Sequence, residues 1–399
     1  MTNLNGLCNP DAAQKIFNRN YFSDKKLGFE VIEGGTILPH KVNPGKFNWG
    51  KGGIVDASGE YVSNTFIVNT NSPAYAPPQP VRRENKTVIY LGMFYPVWGH
   101  VLTGNLYRMW FLNSEVFKRE FKNCPIVFIS WRGRRLKRYP NFPRLLELLG
   151  VDVDKLQLID QPTQFDKIIL PDESMYRDGY RKITAEYRET IDLIRDFALK
   201  NRTPTSSKKV YYFYGKNQTG EERLAEYFKS KGYDIISPEK LSFDEQLNVM
   251  INADSFASTL GSCSHNSIFL RDNAETIFIP RAVDTFTSYQ PTLDAVHPLN
   301  ANYIDSTLSV FNERHSAHCF IIGERLKKFF GDTFDGYDDE DFKAFLEYFK
   351  LAAKKNLKVN PAQVKGCGAL FRDFIAQLQR REDLTSAYGL PPDWDKDLL

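Results

Sequence analysis

Along residues 87–170, short apolar runs alternate with longer stretches of helical period: TVIYLG, LTGNLYRMWFLNSEVFKREF, PIVFIS, FPRLLELLG, LQLI and FDKIIL. Continuous apolar runs mark buried strands, and apolar residues three and four apart mark amphipathic helices. The alternation therefore predicts βαβ units on a mainly parallel sheet. YRKITAEYRETIDLIRDFALKN then predicts one long amphipathic helix, which the Pro, Ser and Thr of RTPTSSKK end as a linker, placing a domain boundary near 205. Beyond it the alternation resumes with strand KVYYFYG, helix EERLAEYFKSKG, strand YDIIS, helix FDEQLNVMINA, strand SFAST, helix HNSIFLRDN and strand ETIFIP. This order predicts a doubly wound α/β domain. Thr219 with Glu222, and Ser242 with Glu245, have capping-box spacing at two of its helix starts.

The flanks read differently. Residues 1–80 are rich in Gly, Pro and Asn with short β-like runs such as YVSNTFIVN, which predicts an N-terminal extension of hairpins and loops packed on the first domain. In DDEDFKAFLEYFKLAAKKNL the acids lead and the lysines trail, matching a helix dipole, and a further helix, GALFRDFIAQLQRR, follows. The expected division is an extension 1–80, a first α/β domain 81–205, a second α/β domain 206–335 and terminal helices 336–399.

Composition narrows the function classes. The 399 residues, 42% hydrophobic and 14% aromatic, can bury large cores. Lys plus Arg number 52 against 49 Asp plus Glu, so the net charge of +3 announces neither a nucleic-acid nor a membrane partner. The 5 cysteines are scattered without CxxC pairs, which argues against a disulfide framework or structural zinc and fits a reducing cytoplasm. The amino terminus lacks a basic segment followed by an apolar run, and no stretch approaches the ~20 apolar residues of a membrane span. Membrane contact is expected to be peripheral.

In open parallel sheets ligands bind beyond the carboxyl ends of the strands, so the loops there hold the candidate chemistry. In YGKNQTGEE, Lys216 is either a phosphate ligand or a surface lysine, and Gly215 and Gly220 let backbone approach a ligand. TLGSCSHNSIF combines a strand, a Gly turn and a helix start whose free amides favour an anion, making Gly261, Ser262 and Asn266 ligand candidates. There Ser264 is either the N-cap or a ligand contact, and His265 either a solvated first-turn residue or a contact. Arg281 in IPRAVDTFTSYQ either neutralises a diphosphate or pairs with an acid. FISWRGRRLKRYPNFPR sets Arg132, Arg134, Arg135, Lys137 and Arg138 among aromatics, either a solvated loop or a seat for an anionic acceptor or a lipid phosphate. Asp152 and Asp154 form a DxD just after a helix, a position that favours turn or capping duty over a divalent ion. Glu313, His315, His318 and Cys319 have zinc-compatible spacing but no second ligand pair. Neither a GxSxG elbow nor HExxH is present, so hydrolase chemistry has no motif, and the candidates point to a phosphate-bearing ligand.

One turn stands apart. YLGMFYPVWGHVLTGNLYRMWFL begins as a buried strand and ends as an amphipathic helix, with His100 in the turn. Read alone, a histidine packing against Trp98 is the ordinary reading. Helical spacing, however, puts His100 beside Thr103 and Gly104, off the apolar stripe of Leu102, Leu106, Met109 and Trp110.

GGIVDASGEYV, YLGMFYPVWGHVLTGNLYRMW, GYDIISPEKLSFDEQLNVMINAD and LGSCSHNSIF, in that order, resemble glycosyltransferase family 61 over about residues 30–285, the bacterial capsular polysaccharide type included. Two departures are Lys216, where members usually carry Arg, and Leu260, where the HGAGLTN-like loop has His. The resemblance implies a GT-B architecture of two Rossmann-like domains facing a cleft, a donor bound mainly by the second, and terminal helices that cross back to the first. It implies inversion, with His100 at the family's Gly-His position as base. Asp56, in a Gly-bounded turn, is the reserve base or a turn residue. Because the sequence offers no convincing metal site, a reaction without a metal or other cofactor is expected. Lys216, Gly261, Ser262, Ser264, His265, Asn266, Glu245 and Arg281 would bind the donor, and Trp98, Arg132, Arg134 and Arg135 the acceptor. Glu245 and Gln246 match the family's EQ pair, although Glu245 also completes the Ser242 capping box. The expected partners are a nucleotide sugar and a glycan or lipid-linked glycan, with no nucleic acid, and with peripheral membrane or capsule-assembly contact at the inner face of the membrane. A polysaccharide pyruvyltransferase-like enzyme and a non-catalytic glycan-binding module are the rival readings.

Overall fold

A computed structural model describes residues 2–42, 49–66, 74–77, 79–136, 139, 141–215, 218–282, 287–312, 318–396 and 398. Two compact units emerge: one of 20–201 with 242–247, and one of 1–19, 202–241 and 248–399. Among the described residues no helix is long and apolar enough to cross a membrane.

The first unit is built on a mixed sheet. Arg82–Phe94, fully buried from Val88 onward, pairs in parallel with Thr163–Pro171 on one side and Ile126–Ser130 on the other, and Leu156–Leu158 extends the parallel part. The other half is antiparallel. Phe29–Glu33 and Thr36–Lys41 pair with Thr163–Pro171, and Lys51–Val55 and Tyr61–Val62 continue as a meander. The mainly parallel expectation thus fails on this side, because residues 29–62, read as an extension, supply strands to the same sheet. Ile32, Ile37, Ile54, Val88, Tyr90, Val127, Ile129 and Ile168 share one core.

The helix expected over 102–121 is not an α-helix. A turn at Trp98–His100 leads into a π-helical turn, Val101–Asn105, then a 3₁₀ helix, Leu106–Asn113, and a second π turn, Phe117–Phe121. The Thr103 hydroxyl donates to Gly99 O at 2.7 Å, one turn back, and the Asn105 amide donates to Met93 O at 2.7 Å, tying this stretch to the strand end. Further on, the segment read as one helix from 180 is split at Thr184 into the strand Tyr180–Ile183 and the helix Ala185–Lys200.

The second unit is wholly parallel in its main sheet, ordered Thr2–Gly6, Asn300–Ile304, Glu275–Ile279, Ser255–Thr259, Lys209–Tyr212, Asp234–Ile236. Residues 1–19 therefore belong to this unit and not to an extension on the first domain. The helices after 338 pack within this unit too. Asp339–Lys354 and Gly368–Gln379 share a core with Leu308, Val310, Cys319 and Ile321. The acids opening the first of these helices are a capping box, Asp338 with Asp341.

Candidate active site

The candidate residues fall into two groups, one in each unit. In the first unit, register builds the site. Phe94 and Ser130 are paired at the carboxyl ends of two parallel strands, so the residues that follow, Tyr95 and Trp131, emerge side by side, their rings 4.9 Å apart at 81°. Trp49 closes on both, at 5.1 and 5.9 Å. His100 meets Tyr95 at 4.8 Å and Trp49 at 5.6 Å, each near edge-to-face.

Burial, and then the positive charge of Arg181, hold the His100 pKa below the usual histidine value. Both act against the imidazolium, so the ring is neutral at neutral pH. Among the described residues none hydrogen-bonds its ring nitrogens, which leaves a lone pair free to take a proton. His40 is spent differently. Its Nε2 donates to Trp49 O at 3.1 Å and its Nδ1 accepts from Arg132 N at 3.2 Å, so it pins Trp49 to the basic loop.

Arg132 lies with its guanidinium 5.8 Å from the Trp131 ring, and Arg134 donates to the Tyr139 hydroxyl at 2.9 Å. Both bear electrostatically on Tyr95, so the basic loop borders the aromatic cluster. Arg135 is exposed, whereas Lys137 and Arg138 lie outside the described residues. Trp98 packs on Phe243 at 5.3 Å. Asp56 is a turn residue. Its Oδ1 accepts from Ser58 N, Ser58 Oγ and Glu60 N, and these bonds hold its pKa low and weaken it as a base. Asp152 caps the turn Val153–Lys155, as its position favoured. Glu245 accepts from Ser242 N and Oγ at 2.7 Å each, the predicted capping box, so its carboxylate is committed to the helix start and away from a ribose.

The second unit repeats the logic. Thr259 pairs with Ile279, so Gly261 and Arg281, each two residues further on, meet. Gly261 has φ +150°, and a Cβ there would lie 2.7 Å from the Arg281 guanidinium carbon. The same guanidinium sits 5.3 Å from the Tyr214 ring, and its Nε has no hydrogen-bond partner among the described residues. Gly261, Arg281, His265, Tyr289 and Gln290 line a cavity of about 520 Å³. His265 Nδ1 donates to Gln290 Oε1 at 2.9 Å, leaving Nε2 as an acceptor. Gln290 is fixed in turn by Asp294, whose burial pushes its pKa up to about 7.

Other expectations for this loop are corrected. The helix after it is a six-residue 3₁₀ turn, Ser264–Phe269, whose N-cap position is Cys263, so the long dipole expected to hold an anion is missing. Gly261 N donates to Ser264 Oγ at 3.0 Å, which consumes that amide and ties Ser264 into the loop. Asn266 is buried and donates to Cys263 O, and Ser262 is half-buried outside the cavity lining. Lys216 lies outside the described residues, as do Glu313 and His315, whereas His318 Nδ1 donates to Arg281 O at 2.9 Å. Gly220 serves packing rather than ligand approach, since a Cβ there would strike Phe320 O at 2.1 Å. No capping box forms at Thr219, whose hydroxyl donates to His318 O while Gly220 takes the cap position.

Trp49, Tyr95, Trp131, His40, Arg181 and Gln290 were not singled out from the sequence. For Trp131 a signal existed: it directly follows PIVFIS, an apolar run read as a strand.

Residues 98–277 match the family model described as Glycosyltransferase 61, a span that opens at Trp98 and includes His100 and the Gly261 loop. The match covers a little under half of the chain and takes in parts of both units. The protein is thus an enzyme of the glycosyltransferase class. No curated protein matches the chain. Among solved structures it is similar to the bacterial iron-containing dodecameric glycosyltransferase TibC from enterotoxigenic E. coli H10407, at 12% identity over 90% of this chain and 97% of that one, with a TM-score of 0.29. A second TibC structure, the dodecameric iron-containing heptosyltransferase in complex with ADP-D-beta-D-heptose, gives 13% identity over 88% and 93% of the two chains, with a TM-score of 0.27. Superpositions this loose carry no argument about the site. The glycosyltransferase 61 span holds His100 and the Gly261 loop but not Trp49, His40 or Arg281, which the fold brings to them within their own units.

Proposed function

We propose that the protein moves a sugar from a nucleotide-sugar donor to a hydroxyl of a glycan or lipid-linked glycan, with inversion at the anomeric carbon, in bacterial capsule or other surface-polysaccharide synthesis. His100 takes the proton of the attacking hydroxyl. The hydroxyl oxygen bonds to the anomeric carbon from the face opposite the leaving group, and the bond to the nucleoside diphosphate breaks. Arg281, with its unsatisfied Nε, answers the charge that develops on the diphosphate, with Lys216 as a second cation. His265, oriented by Gln290, presents an acceptor nitrogen to a donor hydroxyl. The faces of Trp49 and Trp131 offer an apolar platform to the C–H face of an acceptor sugar, and Arg132, Arg134 and Arg135 receive an anionic acceptor group. A GT-B layout, a cytoplasmic site of action and a metal-free step belong to the same reading.

The observation that carries it is His100, a half-buried imidazole kept neutral by its surroundings, with unoccupied ring nitrogens and aromatic walls. The test is turnover across a panel of nucleotide sugars, with and without chelator, on protein whose folded circular-dichroism signal is checked in each condition. His100→Ala should bind donor as the wild type does and lose about 10²–10⁴ in kcat. Wild-type turnover by this variant removes His100 from the mechanism, and activity lost in chelator by folded protein removes the metal-free step.

A further inference from the structure

Three side chains remote in sequence converge in the second unit. Cys8 follows the edge strand Thr2–Gly6, Asp305 follows its partner strand Asn300–Ile304, and Cys367 stands between the helices Pro361–Gly366 and Gly368–Gln379. One donor atom from each, two Sγ and a carboxylate oxygen, lie within 4.8 Å of one another.

Backbone pairing builds the arrangement. Gly6 is in register with Ile304, Asp305 N donates to Gly6 O at 2.9 Å, and Cys8 N donates to Asp305 Oδ2 at 2.6 Å. A Cβ on Gly6 would lie 2.7 Å from Tyr303 O, so glycine there is what lets the two chains close up and bring Cys8 to the carboxylate. Asp305 and Cys367 are each 3% exposed, whereas Cys8 is only partly buried and leaves a way in.

The donor set suits a thiophilic ion. Two sulfurs and one oxygen are a zinc-type set, whereas calcium and magnesium take oxygen ligands. Zn–S bonds of about 2.3 Å in a tetrahedron put two thiolates roughly 3.8 Å apart, so the cluster closes on an ion with about 1 Å of adjustment. Cysteines that merely fill a core behave as small apolar groups, and apolar filling does not call for a carboxylate buried between them.

We propose that Cys8, Asp305 and Cys367 form a site for a zinc-class divalent cation, with a fourth position left to water. On binding, both S–H bonds break, two sulfur–metal bonds form and two protons pass to solvent, with no change of oxidation state. The ion ties the N-terminal segment to the C-terminal helices and takes no part in sugar transfer.

The test uses the full chain, stripped with chelator under reducing conditions and titrated with zinc(II) or cobalt(II). One ion per chain by elemental analysis, and a thiolate-to-cobalt charge-transfer absorption, are the expected results. Cys8→Ser, at the partly exposed position, should keep the wild-type circular dichroism and bind cobalt at least tenfold more weakly, while Cys124→Ser in the first unit should bind as the wild type does. Cys367→Ser and Asp305→Asn provide the same readout where they fold. Sub-stoichiometric metal without the absorption overturns the proposal, as does undiminished binding by folded Cys8→Ser, or a Cys8–Cys367 disulfide in protein purified without reductant. None of these readouts depends on turnover, so the site and the glycosyl-transfer reading stand or fall separately.

Discussion

His100 acquires a base's properties from its neighbours. Burial is the larger cause of its lowered pKa and the Arg181 charge the second, and both penalise only the protonated ring. A neutral ring is the active form of a base, so kcat/KM should hold as pH falls through 6.5 and decline only on the acid side of it. Removing the Arg181 charge removes one of the two causes, which raises the pKa and moves the acid limb of the kcat/KM profile to higher pH. Arg181→Gln should therefore lose activity earlier on acidification, whereas Arg181→Lys, which keeps the charge, should track the wild type. Coincident acid limbs for wild type and Arg181→Gln would show that Arg181 does not set this ionisation. The sequence made His100 legible because it sits at a strand end and off an apolar stripe. It could not show Trp49 or Arg181, since both reach the ring through pairings between segments distant in the chain.

At the scale of elements, strands were more legible than helices. A strand buried on both faces is an apolar run whatever surrounds it, and Ile126–Ser130 and Glu275–Ile279 appear where such runs occur. The helical pattern over 102–121 met a bond from Asn105 back to the strand residue Met93, and a local bond from the Thr103 hydroxyl to Gly99 O, that a period cannot encode, and became π and 3₁₀ turns. Caps divided in the same way. The Ser242 box formed because its partner is three residues away, while the box expected at Thr219 lost to the approach of Phe320, almost exactly a hundred residues on, which only a glycine at 220 tolerates. The helix Glu221–Ser230 is bracketed by glycines at φ +79° and +83°, Gly220 and Gly232, which separate backbone strain from crowding. Nothing lies within 4 Å of a Cβ at Gly232, so Gly232→Ala should cost only the left-handed conformation, about 1 kcal/mol. Gly220→Ala adds a collision at 2.1 Å with backbone and should cost at least about twice that, read as the difference in urea unfolding free energy. Equal losses would mean the Phe320 segment yields without penalty.

At the scale of the whole molecule, the largest misreading was the placement of the N-terminus. Nearby segments usually pair, so residues 1–80 read as one extension of the domain that follows them. Instead, Thr2–Gly6 adds a parallel edge strand beside Asn300–Ile304, an association across some three hundred residues that no local pattern announces. Several contacts secure it. Leu7 and Ala13 are buried, Phe17 packs edge-on to Tyr303 at 4.4 Å, and Arg325 donates to Leu7 O at 2.9 Å. Burying Leu7 alone is worth about 1.5–3 kcal/mol, so the segment supports its unit and is more than a trailing end. Deleting residues 1–19 exposes one edge of Asn300–Ile304 and opens the wall of the 520 Å³ cavity that Phe17 helps to line. Hydrogen exchange of the truncated chain should accordingly show lost protection in peptides covering 300–304 and the neighbouring strand Glu275–Ile279, because the exposed strand loses the packing that holds it to the sheet. Peptides covering Arg82–Phe94, in the other unit, should keep wild-type protection. The idea is sunk if residues 300–304 exchange at the wild-type rate after truncation, since the edge strand would then contribute nothing to holding that sheet.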